Sequence, residues 1–324
     1  MIPEKLRSGS VPGTPRSDSI PGKLRSDSLL PGTSALPLFQ SSLLISNERC
    51  LPLLTCNELC IGFVSAINIP LFRNSKYFSY TKIDKTRVLK LKSPHLTEAG
   101  LDGFVAELRK KGLISVEGTD PVSVFADRGS QPICRVERGI LELLGAKTSR
   151  VSVVAFSGKS RNCKILLGKR QPTAMANPAK YQLLLSFDYD RLTVTREELA
   201  EIAYRGIELQ PDSYGKLKSA GLKTFAKKTA SGVSRISTHT YEIDITDSPL
   251  FAPKVTQVIE AYETVPIHTV LDKCHAGVVC CHDIPIIVDF CIRHGIITPE
   301  TDEQFVLVNQ TLNYDMHRLY KKEL

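Results

Sequence analysis

The amino-acid sequence predicts an α+β fold, in which strands cluster around a small number of helices. Two observations predict it. Apolar or alternating runs, such as 151–156 and 240–245, are typical of strands and recur through the chain. Stretches with helical spacing of apolar residues are fewer, and they carry recognisable start or stop signals. The 42% hydrophobic and 23% charged residues are typical of a globular protein.

Residues 1–42 are predicted to form a disordered tail. This stretch is rich in proline, serine and glycine, and its segment 5–14 recurs in similar form at 23–33. Such a composition cannot bury enough apolar surface to offset the entropy lost on ordering. A phosphorylated tail and an organelle transit peptide are the alternatives to a plain flexible tail. The prolines and acidic residues of the stretch argue against the transit peptide.

Residues 43–136 are predicted to form a small N-terminal α+β domain. Residues 88–92 alternate like a strand with one exposed face. A helix is predicted from Thr97 to Gly112, because glycine suits the left-handed end of a helix and basic residues precede it. Its apolar stripe consists of Leu101, Phe104, Val105 and Leu108.

Residues 137–324 are predicted to form a second domain that holds most of the strands. A short helix ends at Gly145, and the runs 151–156 and 163–167 are predicted to pair as a hairpin. The last strong helix opens at Asp283, just before a proline that fits its first turn. Further strands are predicted at 181–187, 217–225 and 240–245, and the stretch 255–264 is predicted as a strand with a helix as the alternative.

The helix predicted over 195–207 has the clearest local signals in the chain. Thr195 can cap its N-terminus, and Glu198 three residues later completes a capping box. Gly206 is predicted to end the helix in the left-handed conformation.

Three carboxylates on this helix, those of Glu197, Glu198 and Glu201, are candidate metal ligands. Clustered oxygen ligands would suit a magnesium-phosphate enzyme. A solvated helix surface has the same appearance, and an ion pair between Glu201 and Arg205 would account for Glu201 without any chemistry. These residues alone leave both interpretations open.

The composition of the chain limits the cellular compartment and the classes of binding partner that we expect. Nine cysteines, without a secretory signal peptide, indicate reduced thiols in an intracellular compartment, for which we expect the cytoplasm in preference to an organelle. The net charge of +8 permits binding to anions. The absence of RNP-like motifs, zinc-finger spacing and Trp argues against sequence-specific nucleic-acid binding. No apolar run has the length of a membrane span, so no membrane association is predicted.

Thiols and imidazoles cluster in sequence near the C-terminus. They contain no Cys-x-x-Cys pair, so a zinc site is not predicted. A nucleophilic Cys/His pair stays open, because such pairs converge in space rather than in sequence. The residues are Cys274, His275, Cys280, Cys281, His282, Cys291 and His294.

Several runs, taken in order, resemble the Nudix proteins of the thiamine pyrophosphokinase-related group. The most specific is 288–300, Val-Asp-Phe-Cys-Ile-Arg-His-Gly-Ile-Ile-Thr-Pro-Glu. The others are Val136-Glu137-Arg138, Leu143-Leu144-Gly145, Leu166-Leu167-Gly168-Lys169-Arg170, Leu217-Lys218-Ser219-Ala220-Gly221 and Tyr241-Glu242-Ile243. The resemblance covers about residues 45–312. It implies an αβα Nudix sandwich preceded by an extra N-terminal domain.

The resemblance also implies an activity and a metal. Active members of the family are magnesium-dependent diphosphatases, and some hydrolyse damaged forms of thiamine diphosphate. In these members, a helix with the sequence Arg-Glu-x-x-Glu-Glu binds the metals, and a pair of glycines precedes it. Here the helix at 195–207 occupies that place, Phe187-Asp188 replaces the glycines, and no register restores the adjacent glutamates. Arg205 adds a positive charge where the cation would lie.

We therefore expect a Nudix-like fold with a degenerate metal box and little or no hydrolase activity, acting as a ligand-binding or interaction module. Lys169, Arg170 and Arg138 are the candidate contacts to a phosphate-containing small molecule, unless they are merely exposed charges. Protein partners are not predicted.

The alternative is an active Nudix hydrolase that cleaves a diphosphate bond in a derivative of thiamine diphosphate or of a nucleoside diphosphate. It would use Mg²⁺ or Mn²⁺, with Glu201 and Glu198 as the candidate catalytic residues. Its replacement metal ligands would come from the helix glutamates Glu197, Glu198 and Glu201 and from Glu242 or Glu263.

Overall fold

The computed structural model describes most of the chain in ten segments. They are residues 34–39, 50–83, 86–92, 98–114, 121–126, 131–174, 176–208, 215–248, 251 and 253–312. These segments contain one four-stranded sheet, one nine-stranded sheet and seven α-helices. Within them, none of the helices has the length and apolar character needed to cross a membrane.

The smaller sheet belongs to the N-terminal part of the chain. Its strands lie in the order β2-β1-β4-β3, with β1 and β4 parallel and the other neighbours antiparallel. Phe72, Phe78 and Phe104 pack around one another beside it, with ring centroids 4.9–5.0 Å apart. The elements are β1 (Cys50–Leu54), β2 (Cys60–Ser65), α1 (Ile69–Arg73), β3 (Phe78–Ile83), β4 (Thr86–Leu91) and α2 (Glu98–Lys110).

The larger sheet contains nine strands. They are β5 (Pro121–Phe125), β6 (Pro132–Glu137), β7 (Lys147–Ser157), β8 (Lys164–Arg170), β9 (Tyr181–Leu183), β10 (Leu185–Asp188), β11 (Leu217–Lys228), β12 (Val233–Asp244) and β13 (Ile259–Pro266). The strand order along the sheet is β11-β12-β7-β5-β6; the central strand β7 also pairs with β8 and β10, and β8 pairs with β9 and β13. The helices are α3 (Leu141–Leu144), α4 (Arg196–Ile207), α5 (Ile267–His275), α6 (Ile284–Arg293) and α7 (Phe305–Leu312).

Helices cover both faces of this sheet. On β7, Val151 and Val153 belong to a core that includes Leu199 and Ala203 of α4. Val154 belongs to a different core, which includes residues of α5, α6 and α7. Successive side chains of a strand point to opposite faces, so α4 lies on one face and α5–α7 lie on the other. The predicted α+β fold class with an αβα sandwich is therefore confirmed.

Local sequence signals located many elements correctly. Helix α2 ends at Lys110, and Gly112 follows with φ +67°. Strands β7 and β8 form the predicted antiparallel hairpin. Helices α5 and α7 were not predicted. The sequence of α7 contains β-branched valines that are typical of strands, and burial against the core decides its conformation.

The strands β5 and β6 connect the two cores. Apart from Glu137, they lie in the stretch 43–136 that was predicted to form an N-terminal domain. Their backbone instead extends the larger sheet, through pairing of Phe125 with Lys147. Their side chains Val124 and Val136 pack in the core of the smaller sheet. One pair of strands thus serves both units.

Residues 34–39, which the prediction assigned to the disordered tail, lie against the C-terminal part of the chain. Leu36–Phe39 forms a short 3-10 helix, and Ala35 is fully buried. The Ser34 hydroxyl and the Ala35 backbone N–H each donate a hydrogen bond of 2.8 Å to the carboxylate of Asp302. The remainder of the predicted tail lies outside the described residues.

Helix α4 begins as predicted and ends later than predicted. Thr195 Oγ1 accepts from the Glu198 N–H at 3.2 Å, and Glu198 Oε2 accepts from the Thr195 N–H at 2.9 Å, which confirms the capping box. The predicted left-handed end at Gly206 was wrong, because Gly206 is helical and Glu208 takes the left-handed conformation with φ +53°. The helix thus continues one residue past Gly206, and this last residue, Ile207, packs in the core with Leu199 and Ala203.

This difference gives a direct test. Gly206→Ala should raise the free energy of unfolding by about 0.5–1 kcal/mol, because alanine is favoured in a helix interior and its Cβ would meet no atom within 4 Å. Gly145→Ala should lower it, because φ is +58° and the Cβ would lie 2.0 Å from the Phe63 carbonyl oxygen. Urea unfolding measures both. A destabilised Gly206→Ala variant would instead indicate a left-handed Gly206.

Candidate functional site

A basic cavity of about 570 Å³ opens beside the ends of several strands of the larger sheet. Its described lining contains five cationic side chains and two carboxylates. The cations are Arg138, Arg150, Arg170, Lys227 and Arg235, and the carboxylates are Glu142 and Asp188. A concave, positively charged surface of this size suits an anionic small molecule.

The cavity lies on the face of the sheet opposite to α4. Thr148 and Arg150 of β7 line the cavity, and they alternate with Val151 and Val153, which pack with α4. The same parity places Thr148 and Arg150 on the side of Val154, where α5–α7 pack. The sheet therefore separates the cavity from the helix that carries the candidate metal ligands.

Arg150 is the most constrained cation in the cavity wall. Its Nε donates to Ser186 Oγ at 2.9 Å, its Nη2 donates to the Ser186 carbonyl oxygen at 3.1 Å, and its Nη1 donates to Asp188 Oδ1 at 3.1 Å. Asp188 also pairs with Arg138 through its other oxygen. One carboxylate thus holds two guanidinium groups at the edge of the cavity.

The side chain of Asp283 supports the part of the cavity wall that contains Ser186 and Arg150. Its side chain is fully buried, and its two oxygens accept from the Leu183 N–H at 3.1 Å and the Ser186 hydroxyl at 2.6 Å. Helix α6 begins at the predicted place, directly after Asp283. The Asp283 carboxylate does not cap that helix but binds the strand segment that carries Ser186.

Two of the three predicted phosphate contacts line the cavity. Arg138 and Arg170 are both part of its lining, whereas Lys169 is not. Arg170 donates to the Ala176 carbonyl oxygen at 2.9 Å and to Gln182 Oε1 at 2.5 Å. Lys169 instead forms an ion pair with Glu260 at 2.6 Å, and the hydrogen bond to that carboxylate raises the pKa of the Lys169 ammonium group.

The predicted catalytic and metal-binding glutamates do not converge. Glu198 accepts the capping hydrogen bond from Thr195, which is the main reason that its pKa is lowered, and it pairs with Arg191 at 2.6 Å. Glu201 pairs with Arg205 on the exposed surface, and Glu197 is exposed. None of the three glutamates lines the cavity.

This arrangement does not fit a magnesium site. Magnesium requires near-octahedral oxygen ligation. In the described segments, the helix glutamates do not form a group of three or more metal-binding side chains. The proposed replacement ligands are also engaged elsewhere: Glu242 pairs with Arg293 at 2.5 Å, and Glu263 accepts from the Tyr181 hydroxyl at 3.3 Å.

Cys280, His282 and Asp283 form the single close group of metal-ligand types found in the described parts of the chain. Burial raises the pKa of the Cys280 thiol to about 12, so sulfur remains protonated near neutral pH. Because both oxygens of Asp283 already accept hydrogen bonds, this group fits a structural role better than a metal site.

Sequence reasoning missed Arg150, Lys227 and Arg235, and it named Cys281 and His282 only as members of a C-terminal cluster of thiols and imidazoles. Arg150 directly precedes the predicted strand 151–156, and Arg235 lies outside every predicted strand, although both belong to strands of the structure. Arg235 is 4% exposed, and its guanidinium lies 4.7 Å from the centre of the Phe63 ring. No spacing along the chain indicates that these strand residues share one cavity.

His239 packs beneath the start of α4. Its Nδ1 accepts from the Val194 N–H at 3.2 Å, and its Nε2 lies 3.1 Å from Ser219 Oγ. An imidazole that accepts at Nδ1 is neutral, and burial lowers the pKa of His239 accordingly.

Comparisons with known proteins give structural neighbours alone. No family model matches the chain, and no curated protein matches it. The C. elegans Ap4A hydrolase in a binary complex has a TM-score of 0.33 and 6% identity, covering 46% of this chain and 99% of that one. Protein DR0079 from Deinococcus radiodurans has a TM-score of 0.37 and 18% identity, covering 53% and 99%.

A third neighbour is the NUDIX domain of Shewanella oneidensis NrtR, which was solved with ADP ribose. Its TM-score is 0.33 and its identity is 14%, covering 46% of this chain and 88% of that one. The neighbours thus include Nudix proteins. TM-scores below 0.5 do not establish membership of a family, and the αβα architecture rests on the contacts within this chain.

The buried carboxylate of Asp283 should contribute strongly to stability. Asp283→Ala should lower the free energy of unfolding by about 1–3 kcal/mol, because the buried Leu183 N–H would lose its partner. Asp283→Asn, which keeps one oxygen acceptor, should lose less. Asp247→Ala on an exposed turn is the control and should change little. Urea unfolding compares the variants, and equal stability of Asp283→Ala and the wild type would contradict this role.

The neutral His239 predicts a pH dependence of stability. Its folded-state pKa lies below the value of an unfolded histidine, about 6.5. The unfolded state therefore binds more protons as pH falls through about 6.5, and the folded state loses stability. Unfolding free energies between pH 7.5 and 5.5 should fall more steeply for the wild type than for His239→Gln. Parallel curves would show that His239 does not titrate differently on folding.

Proposed function

We propose that this chain is a Nudix-like protein that binds a phosphate-bearing small molecule in the basic cavity and has little or no hydrolase activity. The observation that carries the proposal is the cavity itself. Five cations and two carboxylates line about 570 Å³ of space, and the β7 residues of this lining, Thr148 and Arg150, lie on the face of the sheet away from α4.

Arg170 is the strongest candidate for direct contact with a phosphate. Its hydrogen-bond acceptors are the neutral oxygens of Ala176 and Gln182, so these contacts orient the guanidinium without cancelling its charge. Arg138 and Arg150 share the single carboxylate of Asp188, which leaves an excess of positive charge there as well. Guanidinium groups held in place by hydrogen bonds suit phosphate oxygens.

The ligand class follows from charge and from the resemblance of the sequence. The positive cavity favours a diphosphate over a neutral metabolite. The resemblance to the thiamine pyrophosphokinase-related group makes a thiamine diphosphate derivative the first candidate. A nucleoside diphosphate derivative such as ADP-ribose is the second, because its diphosphate presents the same charge.

The absence of efficient hydrolysis is part of the proposal. Metal-assisted cleavage needs carboxylates gathered at the diphosphate. The carboxylates of α4 are instead used for capping and for ion pairs with Arg191 and Arg205, and they do not line the cavity. An enzyme that used a different set of ligands is the alternative, and the turnover assay below separates the two.

Calorimetric titration with inorganic pyrophosphate, thiamine diphosphate and ADP-ribose tests the binding. Arg170→Met should weaken binding by about 10-fold or more, because a charged hydrogen bond contributes about 1.5–3 kcal/mol. Lys169→Met is the matched control, because this adjacent cation pairs with Glu260 outside the cavity. Binding that is absent, or equally weakened by both substitutions, would contradict the proposed site.

A turnover assay tests the second half of the proposal. Thiamine diphosphate, oxidised thiamine diphosphate, ADP-ribose and NADH are incubated with Mg²⁺ and with Mn²⁺. We expect no metal-dependent hydrolysis by the folded protein. Turnover that requires metal and is abolished in Glu201→Gln would overturn the proposal and establish a working diphosphatase.

A further inference from the structure

Cys281 differs from the other cysteines of the larger domain in both exposure and charge. It is exposed, whereas Cys163, Cys274, Cys280 and Cys291 are buried. Burial raises the pKa of each of these four thiols, to about 11 for Cys163 and about 12 for Cys274 and Cys280. The pKa of Cys281 is lowered to about 6, chiefly by a hydrogen bond with His282 and further by the positive charge of Lys227.

Three polar groups from two separate segments meet at this thiol. Lys227, near the end of β11, donates from Nζ to Cys281 Sγ at 2.8 Å. Cys281 and His282 lie in the turn that precedes α6. The Nε2 of His282 is buried and lies 3.8 Å from Asp283 Oδ1, beyond hydrogen-bond distance.

The cluster lies at the basic cavity and is accessible from it. Cys281, His282 and Lys227 all line the cavity, and they also line a smaller adjoining space of about 40 Å³. The other charged groups of the lining are Arg138, Arg150, Arg170, Arg235, Glu142 and Asp188. The balance of these charges is positive, which favours an anionic sulfur over a neutral thiol.

We propose that Cys281, with Lys227 and His282, forms a reactive thiolate site that is oxidised by hydroperoxides at the mouth of the cavity. The Cys281 sulfur attacks the terminal oxygen of the hydroperoxide, an S–O bond forms, and the O–O bond breaks. Sulfur loses two electrons and the peroxide gains them. The leaving alkoxide, or hydroxide in the case of hydrogen peroxide, takes a proton from the Lys227 ammonium group or from water, and Cys281 becomes a sulfenic acid.

The geometry of the neighbouring cysteine favours persistence of that sulfenic acid. Cys280 is the adjacent residue, and adjacent Cα atoms are about 3.8 Å apart, which is shorter than the ordinary disulfide range of about 4.4–6.8 Å. Cys280 is also fully buried. Cys280 is therefore not the resolving thiol, and reduction of the sulfenic acid by another thiol would restore Cys281.

The first test is the pH profile of alkylation. The full chain is treated with iodoacetamide from pH 5 to pH 9, and labelling of each cysteine is followed by peptide mass spectrometry. Cys281 should reach half of its maximal rate near pH 6, and at pH 6.5 it should react several-fold faster than the half-buried Cys50, Cys56 and Cys60. A midpoint near 8.5, the value of an ordinary thiol, would overturn the proposal.

The second test measures how much Lys227 contributes to the pH midpoint of Cys281 alkylation. Lys227→Met should move the midpoint for Cys281 upwards, Lys227→Arg should restore most of the shift, and Lys228→Met, one residue further along β11, should leave it unchanged. The folded state of each variant is checked by urea unfolding. An unchanged midpoint in Lys227→Met would contradict the assigned role of the lysine.

The third test is the oxidation itself. Hydrogen peroxide is added in the presence of dimedone, which traps sulfenic acids, and Cys281 should carry the label while Cys280 should not. Cys281→Ser should remove the label. Labelling spread evenly over the cysteines, or none on Cys281, would overturn the proposal. These readouts need no bound ligand, so they do not depend on the proposed anion binding.

Discussion

The buried carboxylate of Asp283 is the contact on which the cavity wall depends. It accepts hydrogen bonds from the Leu183 N–H and from the Ser186 hydroxyl, and thereby ties the start of α6 to β9 and β10. Ser186 in turn accepts from Arg150, which pairs with Asp188. The buried carboxylate of Asp283 therefore positions Ser186, and through it the charged side chains of Arg150 and Asp188 in the cavity wall.

A second network holds the other end of α6. Asp289 pairs with Lys223 of β11 and with Arg293, and Arg293 pairs with Glu242 of β12. His294 lies 3.1 Å from the other oxygen of Glu242. Residues 288–300, which carry the most specific part of the family resemblance, thus include the side chains that tie α6 to the sheet. Their distinctive Asp, Arg and His side chains contact partners on β11 and β12 and do not line the cavity.

The sheet divides the molecule into two chemically different faces. On one face, α4 presents carboxylates that are balanced by capping contacts and by arginines. On the other face, cations gather around open space and around the thiol of Cys281. Because the two faces are separated by a packed layer of strands, a ligand in the cavity does not reach the α4 carboxylates. This separation underlies both the proposed binding function and the proposed lack of hydrolysis.

The sequence by itself determined the fold class and many of the local elements, although it did not indicate helices α5 and α7. The capping box at Thr195, the end of α2 at Gly112 and the β7–β8 hairpin depend on residues close together in the chain, which sequence patterns record. The sequence also indicated Arg138 and Arg170 as candidate phosphate contacts, and both line the cavity. Only the tertiary structure decided the site, because the cavity collects side chains from distant strands and its walls depend on which face each residue takes. For the same reason, Cys281 became distinct from Cys280 only where folding placed Lys227 beside it.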